Sequence, residues 1–133
     1  MTVTIDGGAG VTFPDGVQQT NGVTNTGGAP RYYAARAWVN FNGTGTVAIR
    51  AAVNVSSITD GGNGNYTVNF TAPMPDANYT AVATSARTDG GSTNAVMHIF
   101  EGGTYSASSV QFLNENSNGS NDDMPIGCVA GFR

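Results

Sequence analysis

Apolar and polar residues alternate along short stretches of this chain, which is the pattern of β-strands with one buried face. The clearest stretch spans residues 33–41 and ends at Asn42-Gly43, a strong hairpin-turn signal. One parity of this stretch carries Tyr33, Ala35, Ala37, Val39 and Phe41. The other parity carries Arg36, Trp38, Asn40 and Asn42.

Similar stretches recur down the chain with turn residues between them. Asp60 to Asn65 and Asp89 to Gly91 are Gly-rich turn clusters, and Asn114 to Asp123 is predicted to be a polar, acidic surface loop. Many short strands separated by turns predict an all-β fold, an antiparallel sandwich or barrel. The strand-like stretches after residue 42 are 46–52, 53–58, 66–70, 79–87, 94–101, 105–113 and 126–132.

Residues 1–30 differ in amino-acid composition from residues 31–133. They are rich in Gly, Thr and Asn and carry too few apolar side chains to bury a core of their own. We therefore interpret 1–30 as an N-terminal docking arm and 31–133 as the folded β-domain. The apolar residues predicted to anchor the arm are Val3, Ile5, Val11, Phe13 and Val17.

The composition and charge of the chain argue against nucleic-acid and membrane partners. Charged residues make up 11% of the chain, against about 25% in ordinary soluble domains. The net charge is −4 and all five basic residues are scattered arginines, so we expect no nucleic-acid partner. No apolar stretch has the length of a membrane span, and the first residues lack the basic and apolar regions of a signal peptide. We therefore expect neither membrane insertion nor a secretory leader.

The candidate chemistry is sparse. One histidine, His98, and one cysteine, Cys128, do not make a catalytic or zinc constellation, so we predict no enzyme activity, cofactor or metal. Cys128 lies among apolar residues and is interpreted as a small buried hydrophobe. The oxygen-rich turn from Asp60 to Asn65 could hold Ca²⁺ or be an ordinary hairpin loop. Asp122-Asp123 could likewise hold Ca²⁺ or be two solvated surface carboxylates.

The aromatic residues allow two interpretations. Exposed rings would stack on the C–H surfaces of a sugar, whereas buried rings would belong to a core or a subunit interface. We favour the second, because aromatic residues dominate cores and interfaces and the low charge suits an oligomer. A carbohydrate-processing enzyme is the weaker alternative, since no spacing of the nine acidic residues indicates a catalytic pair.

One segment carries a family resemblance. Residues 35–50, Ala-Arg-Ala-Trp-Val-Asn-Phe-Asn-Gly-Thr-Gly-Thr-Val-Ala-Ile-Arg, closely resemble a segment of phage tail-fibre and related virion proteins. Residues 13–17, Phe-Pro-Asp-Gly-Val, resemble a short repeat found where such fibres join a shaft or collar. The likeness covers about half of the chain and continues at residues 54–60, 65–71, 74–79 and 129–133.

The resemblance implies a β-sandwich at a fibre tip, homotrimeric and displayed towards the host. It implies that the arm binds other virion proteins, and that the protein assembles in the host cytoplasm and leaves by lysis. A host glycan or protein would meet the loops at 88–92, 102–105 and 114–124. The alternative is a capsid or tail decoration protein without a receptor. The expected receptor-binding residues are Thr88, Asp89, Ser92, Tyr105, Asn114, Asn116, Asn118, Asn121, Asp122 and Asp123.

Overall fold

The computed structural model describes residues 4–6, 10–12, 18–19, 35–88 and 96–133 of the chain. The regular secondary structure in these ranges consists of β-strands, and all strand pairs are antiparallel. No helix in the described ranges is long and apolar enough to cross a membrane. The strands are β1 (Thr4–Asp6), β2 (Gly10–Thr12), β3 (Gln18–Gln19), β4 (Ala35–Asn42), β5 (Ala48–Val53), β6 (Val55–Asp60), β7 (Asn65–Phe70), β8 (Thr80–Ala86), β9 (Val96–Ile99), β10 (Ser109–Glu115) and β11 (Ile126–Phe132).

The chain divides into two compact units, Met1–Arg31 and Tyr32–Arg133. The first unit contains a small sheet in the order β1-β2-β3. Ile5 in β1 stands opposite Val11 in β2, so two of the predicted anchor positions are neighbours across this sheet. The other three predicted anchors lie outside the described residues: Val3, Phe13 and Val17. The docking role of this unit stays a prediction.

The second unit consists of two four-stranded sheets. Their orders are β5-β4-β11-β8, here called the front sheet, and β6-β7-β10-β9, here called the back sheet. Residues from both sheets form one hydrophobic cluster, so the sheets are arranged like the layers of a sandwich around a shared core. The fold is therefore all-β, as the alternation predicts.

The long alternating strand predicted from the sequence is confirmed as β4 over Ala35–Asn42, and the structure shows which of its faces is buried. Ala37, Val39 and Phe41 of β4 are 1%, 2% and 0% exposed, while Trp38 is 38% exposed. The back sheet alternates in the same way, because Tyr66 and Val68 of β7 are fully buried. Phe41 and Tyr66 meet edge to face across the two sheets, with ring centroids 5.1 Å apart.

The structure corrects the strand predicted over residues 53–58. β5 of the front sheet ends at Val53 and β6 of the back sheet begins at Val55, so the chain turns a corner at Asn54. Asn54 has a φ of 55°, a left-handed conformation that asparagine tolerates better than branched residues do. Its side chain accepts a hydrogen bond from the Ala72 N–H and donates one to the Ala72 carbonyl, which holds the corner.

Gly127 of β11 stands opposite Phe41 in the front sheet. A Cβ atom at Gly127 would lie 2.5 Å from Cζ of the Phe41 ring, closer than packed carbon atoms come. The buried ring therefore occupies the space that a side chain at position 127 would need.

We expect Gly127→Ala to lower the free energy of unfolding by about 1–3 kcal/mol, because the Phe41 ring must move within a packed core. Urea denaturation of the single variants and of Gly127→Ala combined with Phe41→Leu checks this. The smaller leucine makes room, so the combined loss should fall short of the sum by at least about 0.5 kcal/mol. Strict additivity would contradict the predicted contact.

Candidate binding site

Three parts of the chain meet at one end of the sandwich, here called the loop end. The turn at 61–64 joins β6 to β7, and segment 116–125 follows β10. Asn63 Nδ2 donates to the Asn121 carbonyl at 2.6 Å, which ties the two together. Ala86 pairs with Ile126 of β11, so Thr88, just beyond β8, lies at this end as well.

Asp123 connects the loop end to the core. Its Oδ1 accepts hydrogen bonds from the Tyr66 hydroxyl and from the Gly64 N–H, both at 2.7 Å. Gly43 O also lies 2.9 Å from the Tyr66 hydroxyl, but that single proton favours the charged, closer carboxylate. The ring of Tyr66 is fully buried, so Asp123 is fixed to a side chain that cannot move without disturbing the core.

Glycine is required at position 64. Gly64 has a φ of +66°, and a Cβ there would lie 2.4 Å from the Asn114 carbonyl oxygen. The Gly64 carbonyl accepts a hydrogen bond from the Asn114 N–H at 2.7 Å, so the turn backbone packs directly against the end of β10. Gly64 is therefore the position in this turn where close backbone packing leaves no room for a side chain.

Asn114 is a structural anchor. The predicted surface loop at 114–123 is corrected, because β10 continues to Glu115 and Asn114 is 0% exposed. Its Oδ1 accepts a bond from Ser85 Oγ of the front sheet, and its Nδ2 donates to the Asp122 carbonyl, each at 2.6 Å. Its side chain is therefore inaccessible to a receptor, and it links both sheets to the loop.

The rest of the segment is also tied down. Asn116 Oδ1 accepts bonds from the N–H groups of Asn118 and Ser120, so this carboxamide shapes its own turn. Asp122 forms an ion pair with Arg87 at 2.7 Å. Among the predicted receptor residues that the structure describes, Thr88, Asn118 and Asn121 are exposed at the loop end. Exposed carboxamides can donate and accept hydrogen bonds with a neutral polar ligand.

Tyr105 lies at the opposite end of the sandwich from segment 116–125. It precedes Ser109, which pairs with Asn69 at the far end of β7. Its ring stacks on Tyr79 with centroids 4.6 Å apart, and its hydroxyl donates to the Tyr79 carbonyl. The structure therefore separates Tyr105 from the predicted receptor residues that it describes at the loop end and makes it part of the packing. Asp89 and Ser92 lie outside the described residues.

Two side-chain oxygens of the oxygen-rich turn accept hydrogen bonds from other groups of the protein. Asp60 Oδ1 accepts a bond from the Gly62 N–H, and Asn65 Oδ1 accepts one from Gln111 Nε2. The described residues contain no group of three His, Cys, Asp or Glu side chains placed to hold a metal ion. His98 of β9 stands opposite Leu113.

Cys128 lies on the outer face of the front sheet, which corrects its interpretation as a core residue. It is half-buried and stands opposite Asn40, whose Nδ2 donates to the sulfur at 3.3 Å. Its apolar sequence neighbours suggested the core, but its inward-facing neighbours in β11 are Gly127 and Val129.

Tyrosine ionisation is suppressed in the folded unit. Burial, followed by the hydrogen bond to the Asp123 carboxylate, raises the pKa of Tyr66 well above its usual range. Burial raises the pKa of Tyr79 to about 12, with a smaller contribution from Tyr105. Burial also raises the pKa of Tyr105. These hydroxyls therefore stay protonated where those of an unfolded chain ionise.

Comparisons of this chain with protein-family models, with curated proteins and with solved structures found no match. The resemblance of residues 35–50 to phage tail-fibre proteins stays a prediction. A functional argument therefore depends on the geometry of the described residues.

We expect Asp123→Ala to lower the free energy of unfolding by about 2–4 kcal/mol, because the buried Tyr66 hydroxyl and the Gly64 N–H lose a charged acceptor. Asp122→Ala is the matched control, since the half-exposed ion pair with Arg87 should contribute no more than about 1 kcal/mol. Thermal and urea denaturation measure both. Equal losses in the two variants would contradict the anchoring role of Asp123.

We also expect stability to fall as the pH rises above 10. Unfolded tyrosines ionise near pH 10, so the native state binds more protons than the unfolded state between that pH and the raised native pKa values. The stabilisation is complete below pH 10 and is lost at up to about 1.4 kcal/mol per pH unit for each such tyrosine. Urea titrations from pH 8 to pH 12 test this, and Tyr79→Phe should flatten the slope. The same slope in both proteins would refute the assignment to Tyr79.

Proposed function

We propose that this chain is a non-enzymatic phage virion protein of the fibre-tip type, homotrimeric and displayed on the particle. Its loop end contacts a host-surface glycan or protein, and the unit Met1–Arg31 binds other virion proteins. Support comes from the resemblance at residues 35–50, the low charge and the sandwich-like unit with one firmly anchored end.

The observation that carries the proposal is the construction of the loop end. Buried Tyr66 and Asn114, together with half-buried Asp123, hold segment 116–125. Its outer residues, Asn118 and Asn121, are exposed and uncharged. A binding surface that is ordered before its ligand arrives loses little entropy on binding. Such a surface suits adhesion, because the exposed amides can be exchanged without disturbing the anchors beneath them.

The same anchoring determines how the site should be tested. Deleting 114–123 would remove Asn114 and Asp123 along with the exposed residues, so the loss of binding would report unfolding. Substitutions at the exposed residues Asn118 and Asn121 leave the buried contacts in place.

We expect Asn118→Arg together with Asn121→Arg to reduce adsorption of particles to host cells by at least about tenfold, a loss of roughly 1.4 kcal/mol or more in binding. Thr71→Arg is the control, since Thr71 is exposed beyond the opposite end of β7. Adsorption rates and the melting temperatures of the purified proteins are measured together. Unchanged adsorption by a stable double variant would exclude the loop end as the receptor site.

A capsid or tail decoration protein without a receptor is the second candidate, because the same fold and anchor serve it equally. Immunogold labelling of purified particles separates the candidates. Label at the tail tip supports adhesion, label over the head supports decoration, and the absence of label contradicts a virion role.

A further inference from the structure

The two outer faces of the sandwich differ sharply in chemistry. Across β6, β7 and β10 the back sheet presents a polar face, in which Thr67 stands between Thr59 and Gln111. Its edge strand β9 also carries an exposed apolar residue, Val96. Asn69 Nδ2 donates to Thr59 Oγ1 at 2.9 Å, and Gln111 Nε2 donates to Asn65 Oδ1 at 2.7 Å. These polar side chains bond to one another, as expected for a solvated face.

The front sheet presents an apolar row across all four strands. Val53, Trp38, Ala130 and Val82 stand side by side in that order. Val53 is 49% exposed, Trp38 38% and Val82 51%. We call these four residues the apolar row. Large apolar side chains exposed together on a sheet indicate an interaction surface.

On one side the residues beside the row are uncharged, and on the other side half-buried Arg36 lies two residues before Trp38 in β4. The adjacent register joins Ala51, Asn40, Cys128 and Thr84 across the same strands. A groove of about 490 Å³ lies between Trp38, Val82 and Cys128. The guanidinium of Arg50, on edge strand β5, donates to the carbonyls of Phe41 and Pro125.

We propose that the front sheet is the face through which copies of this chain pack against one another, with the apolar row at the centre of the contact. This rests on the homotrimer of the proposed function and names its packing surface. Groups near a symmetry axis meet their own copies, so a charged face would repel itself in a chain of net charge −4. The uncharged apolar row avoids that repulsion and is complementary to itself.

The size of the face is sufficient for a modest contact. Four strands about 4.8 Å apart and about seven residues long span roughly 19 Å by 23 Å. Two such faces bury roughly 900 Å², near the approximate lower limit of 1,000 Å² for biological interfaces. Packing of sheets face to face is also how the two inner faces of this unit already meet, and the groove gives a facing side chain room to interdigitate.

The test uses two natural reporters on the face, since the chain has one tryptophan, Trp38, and one cysteine, Cys128. Light scattering of the full-length protein should give a mass of three chains, whereas a mass of two chains would contradict the homotrimer on which the proposal rests. Val82→Lys should weaken self-association at least about 100-fold, because a lysine charge would be buried without a partner. In that variant Trp38 emission should shift to the red and Cys128 should react faster with a thiol reagent.

Thr67→Lys, on the polar face of the back sheet, is the matched control and should keep the wild-type mass. Val53→Lys repeats the test on another strand in case Val82→Lys fails to fold, as judged by circular dichroism. A wild-type mass of one chain would overturn the proposal, as would an unchanged mass in both folded lysine variants.

Two other outcomes would assign the face to another occupant. If a monomer already shows buried Trp38 emission, residues 1–31 cover the face. If a glycan changes that emission, the face binds sugar. Particle labelling and adsorption by the loop-end variants test the virion role separately.

Discussion

The hydrogen bonds of the Asp123 carboxylate are the constraint on which the loop end depends. One oxygen joins the hydroxyl of a fully buried tyrosine, Tyr66, to the backbone of the Gly64 turn. A charged acceptor in a half-buried position is stabilising only when such donors surround it. Because Tyr66 also contacts Phe41 of the other sheet, the loop position is coupled to the packing between the two sheets.

Asn114 extends this coupling to a third strand. Its carboxamide spans from Ser85 in the front sheet to the Asp122 carbonyl in the loop, and every buried polar side-chain atom in the described ranges has a partner. A fully satisfied buried network specifies one arrangement, because any alternative leaves a donor or acceptor unpaired. The result is an end whose exposed residues are free to vary while the interior is not.

The two outer faces of the unit differ in chemistry, so the front sheet and the back sheet suit different contacts. One sheet presents Thr, Asn and Gln side chains that bond to one another, and the other presents the apolar row with Trp38 at its centre. If copies pack through the front sheet, the back sheet and the loop end stay accessible. The proposed assembly and the proposed host contact therefore use different parts of the surface and do not compete.

Sequence patterns predicted the strands well where one face is apolar and the other polar, as in β4 and β7. They failed at Cys128, because β11 carries apolar residues on both faces and alternation cannot distinguish a core from an apolar outer surface. They failed at Asn114 for another reason. An asparagine in a polar run is typical of a loop, and its burial depends on Ser85 and Asp122, which the fold brings to it. The corner at Asn54 was missed because alternation continues through it.

Amide hydrogen exchange tests most directly whether hydrogen bonds to the core hold the loop end in place. We expect the N–H groups of Gly64, Asn114 and Asp122 to exchange as slowly as that of Phe112 in the middle of β10. Each of the three donates a hydrogen bond to a partner held by the core. Exchange of the Gly64 and Asp122 amides at the rate of an open loop, with Phe112 still protected, would contradict this expectation.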